Sequence, residues 1–209
     1  MPDAFFEEMR QTLERAYLAA DEPWRQSGFS GPEARWAVLR KPVADCVDRS
    51  GSFLDVGCAN GYLLESVRRW SAFALELWGI DLSPALVELA RRRVPDATLL
   101  VANALEWVPP RRFDFVRTEL VYVRAADEAR YVRHLLQHCV STDGALLVAN
   151  YLEGASDVAD RIIRGAHPTT DLAARLGELG FPVERLCDAV DAVKGRRTRV
   201  AVIRNSSVL

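Results

Sequence analysis

FLDVGCANG, residues 53–61, and WGIDLS, residues 78–83, are the two stretches from which the fold can be predicted. Each stretch begins as an apolar run and reaches an acid, Asp55 or Asp81. The first run opens into a turn of small residues, which lets the backbone approach a ligand closely, and the helix after it directs free N–H groups the same way. Because an acid at the tip of the next strand can accept two hydrogen bonds from a ribose diol, the pair predicts a nucleoside site.

Details of the turn indicate which nucleoside fits. A dinucleotide-binding turn has the pattern G-x-G-x-x-G and brings backbone N–H groups onto a pyrophosphate. Here the small residues Gly57, Ala59 and Gly61 alternate, and a carboxylate, Asp55, precedes them. That carboxylate would repel a pyrophosphate but suits an ammonium group, and the sequence has no G-x-x-x-x-G-K-[ST] phosphate loop. The expected ligand is adenosine joined to a cationic amino acid.

Residues 55–61, D-V-G-C-A-N-G, resemble the first motif of class I S-adenosylmethionine-dependent methyltransferases, (D/E)-x-G-x-G-x-G, with Ala59 at the middle glycine. The resemblance covers about residues 50 to 150 well and the rest loosely. It implies that the motif acid lies near the amino-acid end of S-adenosylmethionine and that Asp81 holds the ribose hydroxyls. Asn103, after the third strand, takes the place of an acid that often bonds the adenine amino group in this family.

This resemblance implies a cofactor-binding set at the strand ends and in the N-terminal segment. The strand ends and their turns contribute Asp55, Gly57, Cys58, Ala59, Gly61, Asp81, Leu82, Asn103, Ala104, Leu105, Thr118 and Glu119. The segment ahead of the first strand often folds over the cofactor in this family, so we expect a lid with Tyr17, Trp24, Gln26, Ser27 and Gly28. Gln26 and Ser27 would bond the cofactor's carboxylate. The alternative is a connector whose aromatic side chains only fill the core.

Methyl transfer from a sulfonium is an in-line displacement that needs an aligned nucleophile and exclusion of water. The family lines its transfer pocket with residues after the fourth strand, and here Thr118, Glu119 and Tyr122 are the candidates. Tyr151, after the fifth strand, is a further candidate for the pocket wall, and His167 is the candidate general base. Glu119 either contacts a substrate amine or caps the following segment.

Metal and membrane sites are not expected. His134 and His138 lie four residues apart on a predicted helix, but no third ligand is apparent. The four cysteines form no C-x-x-C pair, the first ten residues are too polar for a signal peptide, and no apolar run is long enough to span a bilayer. We therefore expect a cytoplasmic protein.

Alternating apolar runs and helical periodicity predict the architecture. The chain has 209 residues, of which 49% are hydrophobic, and strands are predicted near 53–56, 75–80, 97–101, 113–118, 144–150, 182–187 and 198–204. Helices are predicted near 3–20, 33–48, 61–70, 84–93, 127–140 and 169–179. This order predicts an α/β fold with a doubly wound, seven-stranded, mostly parallel Rossmann-like sheet, an antiparallel last strand and an N-terminal helical lid. We expect one domain over 1–209, with the helices and lid in 1–50 and the core in 51–209.

The patterns together predict an S-adenosylmethionine-dependent N- or O-methyltransferase acting on a small-molecule acceptor. The formal net charge of −2 gives no global attraction for nucleic acid or an anionic membrane, so we expect neither as a stable partner, and a monomer or homodimer. Alternatives are a protein, peptide or RNA methyltransferase and a non-catalytic S-adenosylmethionine-binding module. A nicotinamide-dependent dehydrogenase is a third, although the alternating small residues and Asp55 argue against it.

Overall fold

Seven strands form one sheet in the computed structural model, which describes residues 4–153 and 171–205. In chain order they are β1 (Gly51–Val56), β2 (Leu75–Asp81), β3 (Thr98–Val101), β4 (Phe113–Thr118), β5 (Val140–Glu153), β6 (Arg185–Asp191) and β7 (Arg196–Arg204). Their order across the sheet is β3-β2-β1-β4-β5-β7-β6. The first five strands pair in parallel, and β7 is antiparallel to both β5 and β6. This arrangement confirms the predicted fold class.

Helices cover both faces of the sheet. They are α1 (Ala4–Tyr17), α2 (Glu33–Asp45), α3 (Tyr62–Trp70), α4 (Pro84–Arg93), α5 (Glu128–His134) and α6 (Leu172–Glu178). The helix α4 begins as the sequence predicts, because the Ser83 hydroxyl accepts the Leu86 N–H and a proline occupies the first helical position. Short 3₁₀ turns at Leu120–Tyr122 and Ala125–Asp127 connect β4 to α5.

Two apolar layers enclose the sheet, as expected when helices cover both sides of parallel strands. Successive residues of β1 enter opposite layers: Phe53 joins the layer that includes Trp36 of α2, and Leu54 joins the layer that includes Tyr131 of α5. All four side chains are at most 1% exposed. Burial on both faces fixes the register of the central strands and therefore the position of each strand end.

Several boundaries differ from the predicted ones, and two of the differences lie in the second half of the sheet. The helix predicted over 127–140 ends earlier, because the chain passes through a π-helical turn at Leu135–Cys139 and β5 already begins at Val140. The segment 188–197, predicted as a short link between the last strands, is mostly strand, since β6 runs to Asp191. Its alternation of polar and apolar residues is that of a half-exposed edge strand. Within residues 4–153 and 171–205, no helix combines the length and the apolar character needed to cross a membrane.

Candidate functional site

A cleft lies beyond the carboxyl ends of β1, β2, β3 and β4, where open α/β sheets bind their ligands. Twelve residues of the predicted cofactor set line it: Tyr17, Ser27, Asp55, Gly57, Cys58, Ala59, Asp81, Leu82, Asn103, Ala104, Leu105 and Glu119. The predicted pocket-wall residues Tyr122 and Tyr151 line the same cleft. The structure therefore brings most of the candidate residues together in one place.

The turn after β1 has left-handed backbone at alternate positions. The φ angles are +77° at Gly57, +46° at Ala59 and +75° at Gly61, the residue that precedes α3. Left-handed backbone costs glycine little but strains a residue with a β-carbon, so Ala59 is the strained member of the three. The backbone N–H of Gly57 donates to Ile80 O at 2.8 Å, which joins this turn to the end of β2.

Asp81 is held at the rim of the cleft by backbone donors. Its Oδ2 accepts the Ala59 N–H at 2.9 Å, and its Oδ1 accepts the Ser83 N–H at 2.9 Å. Burial raises the pKa of Asp81, and these two N–H groups oppose that effect. A carboxylate can accept about four hydrogen bonds, so each oxygen keeps capacity for a ligand hydroxyl.

The wall beyond β3 is mostly apolar and carries one amide. Leu82, Ala104 and Leu105 line it together with Asn103. The Asn103 Oδ1 accepts the Leu105 N–H at 3.1 Å, which fixes the direction of the side chain. A carbonyl oxygen has a second lone pair and the NH₂ group remains a donor, so this wall suits a flat heteroaromatic ring with polar edges.

A buried ionic cluster surrounds Arg117, a cleft residue to which the sequence analysis assigned no role. Arg117 is opposite Asp55 in the β1–β4 register, and its Nη1 donates to Asp55 Oδ1 at 3.1 Å. The same guanidinium forms an ion pair with Glu119. It also donates to the hydroxyl oxygens of Tyr122 and Tyr151, both at 2.9 Å.

Burial dominates the electrostatics of this cluster. It raises the pKa of Asp55 to about 6, although the Arg117 guanidinium opposes the shift. The second carboxylate oxygen, Asp55 Oδ2, is buried and has no hydrogen-bond donor among the residues that the structure describes. Burial also raises the pKa values of Tyr122 and Tyr151, so both phenols stay protonated at neutral pH.

The ring of Tyr122 packs directly on the turn at Gly57. A β-carbon placed at Gly57 would lie 2.6 Å from Tyr122 Cζ and 2.9 Å from its hydroxyl oxygen. The ring is fixed in this position because its hydroxyl donates to Glu119 Oε1 at 2.7 Å and accepts from Arg117. Glycine is therefore required here by both backbone conformation and space.

Several predicted residues do not line the cleft, namely Trp24, Gln26, Gly28, Gly61 and Thr118. The Thr118 hydroxyl is hydrogen-bonded to the Tyr131 hydroxyl at 2.6 Å. The Gln26 amide donates to Ala20 O at 2.8 Å, and its Oε1 accepts from Asn60 Nδ2 at 3.2 Å. The predicted base His167 falls outside the described residues.

Four apolar cleft residues were not predicted to belong to the site. Phe6, Met9 and Leu13 of α1 and Trp36 of α2 all lie in the cleft wall. Helical periodicity identifies an apolar face but does not distinguish a face that packs on the sheet from one that covers a ligand site. Arg40 of α2 also lines the cleft, and no motif marked it.

Comparison with known proteins gives a consistent family. A family model described as "Methyltransferase domain" matches residues 32–187. Among curated proteins, the chain is 33% identical over 84 residues to a trans-aconitate 2-methyltransferase of Afipia carboxidovorans, covering 40% of this chain and 32% of that protein. It is 26% identical over 193 residues to the N-methyltransferase verN of Clonostachys rogersoniana, covering 84% of this chain and 64% of that one. The chain thus spans about a third of the first relative and under two thirds of the second.

Among solved structures, the N-methyltransferase NodS from Bradyrhizobium japonicum in complex with S-adenosyl-L-homocysteine superimposes with a TM-score of 0.65. The superposition covers 94% of this chain and 98% of that one, at 16% sequence identity. At this identity the likeness establishes a shared fold.

Proposed function

The chain belongs to the methyltransferase domain family, and on that premise we propose that it transfers a methyl group from S-adenosylmethionine to a nitrogen or oxygen of a small molecule. The observation that carries this proposal is the pair of acids at the ends of two neighbouring parallel strands. Asp55 and Asp81 both line one cleft, and the small-residue turn between them lets a ligand approach the backbone.

The residues present fit the cofactor's charged end. The Asp55 Oδ2 is a buried acceptor without a donor among the described residues, and a ligand ammonium would supply one. A carboxylate so placed would disfavour a pyrophosphate, which is the argument against a dinucleotide. Ser27 lines the same cleft, but its hydroxyl donates to Trp24 O at 2.8 Å and accepts from Trp36, so its proton is already used within the protein.

In this proposal, residues at the ends of β2 and β3 bind the adenosine part of the cofactor. Asp81 accepts the ribose hydroxyls through the capacity that its two backbone contacts leave. The apolar wall of Leu82 and Leu105 packs against the adenine ring, and Asn103 bonds its polar edge. When bound, the cofactor supplies an activated methyl group on a sulfonium.

The protein's contribution to the transfer is alignment and exclusion of water, which can supply roughly 7–11 kcal/mol of the barrier. Glu119, Tyr122 and Tyr151 form the pocket wall in this account. Because Glu119 accepts from both Arg117 and Tyr122, we assign it to fixing the wall rather than to removing a proton. The name of the first relative specifies a small molecule, trans-aconitate, which supports a small acceptor here, and the name of the second specifies N-methylation. The protein acts as a monomer or homodimer in this proposal, without a stable nucleic-acid partner.

The proposal is tested by transfer of labelled methyl groups from S-adenosylmethionine to a panel of small metabolites. Label in a small product that requires the protein supports it. Binding of the cofactor without transfer to any member of a broad panel would indicate a non-catalytic binding module, and transfer only to protein or RNA would indicate the other class of methyltransferase.

A further inference from the structure

One tyrosine at the end of the cleft offers a proton that no described residue accepts. Tyr151 in β5 lines the cleft and is 4% exposed. Its oxygen accepts a hydrogen bond from Arg117 Nη2 at 2.9 Å. No acceptor for its own O–H proton lies among residues 4–153 and 171–205. Since burial raises the pKa of Tyr151, the phenol keeps that proton at neutral pH and can donate it to a ligand.

The hydroxyl of the neighbouring Tyr122, in contrast, donates its proton within the protein. The Tyr122 oxygen also accepts from Arg117, at 2.9 Å, but its proton goes to Glu119 Oε1 at 2.7 Å. Its donor and one of its acceptor positions are thus used within the protein. Of these two phenols, only Tyr151 is left with a donor to offer.

Two guanidinium groups flank the Tyr151 ring. The Arg40 guanidinium carbon lies 3.5 Å from the ring centroid, and the Arg117 guanidinium carbon lies 5.3 Å from it. Both arginines line the cleft, and they are 5% and 2% exposed. Arg117 Nε is a buried donor without a partner among the described residues. Arginine only donates hydrogen bonds, so this corner of the cleft presents donors, while the charge of Arg117 is shared with Asp55 and Glu119.

The hydrogen-bond donors at this corner favour one chemical class of methyl acceptor. A carboxylate matches guanidinium and hydroxyl donors, and charge-assisted hydrogen bonds of this kind are the stronger ones. A protonated amine has no lone pair, so it cannot accept the Tyr151 proton or the Arg117 Nε–H. Building on the methyl transfer proposed above, we infer that the acceptor is a small carboxylic acid whose carboxylate accepts the Tyr151 hydroxyl proton and lies beside Arg40 and Arg117.

The binding test uses protein saturated with S-adenosylhomocysteine and titrated by calorimetry. The probes are aliphatic and aromatic carboxylic acids, including succinate and benzoate, each paired with its primary amide, and benzylamine as the cation. We expect at least one acid to bind and its amide to bind about tenfold more weakly or worse. Equal affinity for an acid and its amide, tighter binding of the amine, or no binding of any acid would overturn the inference.

The cofactor also carries a carboxylate, so a variant is needed to show which of the two ligands binds at Tyr151. Tyr151→Phe should weaken the acid by about tenfold, its amide by less, and S-adenosylhomocysteine not at all. Tyr62→Phe is the matched control, because its hydroxyl donates to Glu33 and does not line the cleft. Loss of S-adenosylhomocysteine affinity with unchanged acid affinity would overturn the inference and assign the corner to the cofactor. Failure of the unmodified protein to bind S-adenosylhomocysteine is a separate result, which removes the proposed function itself.

Discussion

Arg117 Nη1 donates a 3.1 Å hydrogen bond to Asp55 Oδ1, so β4 neutralises part of the charge of the acid near the end of β1. The two side chains are 3% and 1% exposed, and they are 62 residues apart in the sequence. Buried charges are stable only when paired and hydrogen-bonded. The cleft wall around Asp55 and Arg117 therefore depends on this ion pair for its shape.

Removing the cation should destabilise the fold strongly. Arg117→Met leaves Asp55 and Glu119 buried without their partner, and breaking one side of a buried pair costs about 3–5 kcal/mol of unfolding free energy. Urea unfolding measures the change. Arg111→Met is the control, because its 3.0 Å pair with Glu76 is about half exposed and should contribute about 1 kcal/mol or less. Similar losses for the two variants would contradict the account of the cluster.

Cofactor affinity should depend on pH through Asp55. Its pKa in the unliganded protein is raised to about 6, and the ammonium of the cofactor binds the ionised form, so affinity is present above that pH and lost below it. Between pH 7.5 and pH 5 the affinity should fall about tenfold, as one titrating group requires. Calorimetry with S-adenosylhomocysteine measures it, and Asp55→Asn should flatten the profile. An unchanged profile in Asp55→Asn would assign the dependence to another group.

The same raised pKa has the opposite effect on the unliganded fold. The ordinary pKa of this carboxyl is 3.8, so between about 4 and 6 the folded protein binds a proton that the unfolded chain releases. The contribution of Asp55 to stability should therefore decrease as the pH rises through this window. Urea unfolding of the unmodified protein and of Asp55→Asn is measured at pH 4.5 and at pH 6.5. At each pH, the difference between their unfolding free energies gives the contribution of Asp55. A contribution that increases with pH would contradict the argument from burial.

Gly57→Ala should lower the stability of the fold by more than backbone strain alone would. A residue with a β-carbon in left-handed backbone costs about 1–2 kcal/mol, and here the β-carbon also meets the Tyr122 ring at 2.6 Å. Gly180→Ala is a matched control, since its φ is +85° and nothing lies within 4 Å of the added carbon. Thermal unfolding should show the larger loss at Gly57. Equal losses would mean that the Tyr122 contact relaxes without cost.

Thr118 is predicted here to act on stability rather than on the cofactor. Its hydroxyl is bonded to the Tyr131 hydroxyl at 2.6 Å, and both residues are fully buried. Thr118→Val leaves the Tyr131 hydroxyl without this partner and should cost about 1–3 kcal/mol. The affinity for S-adenosylhomocysteine should stay unchanged. A marked loss of affinity in a folded Thr118→Val variant would return Thr118 to the cofactor-binding set.

Features that depend on residues close together in the sequence could be predicted for this protein. The strand-turn motif at 55–61 is local, and the family that it resembles is confirmed by the family match. The sheet follows from the alternation of apolar runs and helices, and its order and direction are confirmed. The end of β6 was predicted wrongly, because the polar residues of a half-exposed edge strand resemble those of a loop.

The ionic cluster could not be read from the sequence for a physical reason. The contact of Arg117 with Asp55 depends on the register of two strands, which is set by burial of whole faces rather than by the residues between them. The lid residues are a second case. Trp24 and Gln26 have polar groups suited to a ligand, but nearby backbone carbonyls take their protons at 2.9 and 2.8 Å. Such local competition is decided only by the folded loop.

We expect the cleft to bind S-adenosylmethionine and its demethylated product through Asp81, and equilibrium dialysis with labelled S-adenosylhomocysteine measures this binding. We predict saturable binding at one site. Asp81→Asn should weaken it about tenfold or more, because a hydrogen bond to a charged group is worth about 1.5–3 kcal/mol. Asp188→Asn, at a β6 residue paired with Arg199, should not. No retention of the ligand at millimolar concentration, or equal affinity in folded Asp81→Asn, would contradict the claim.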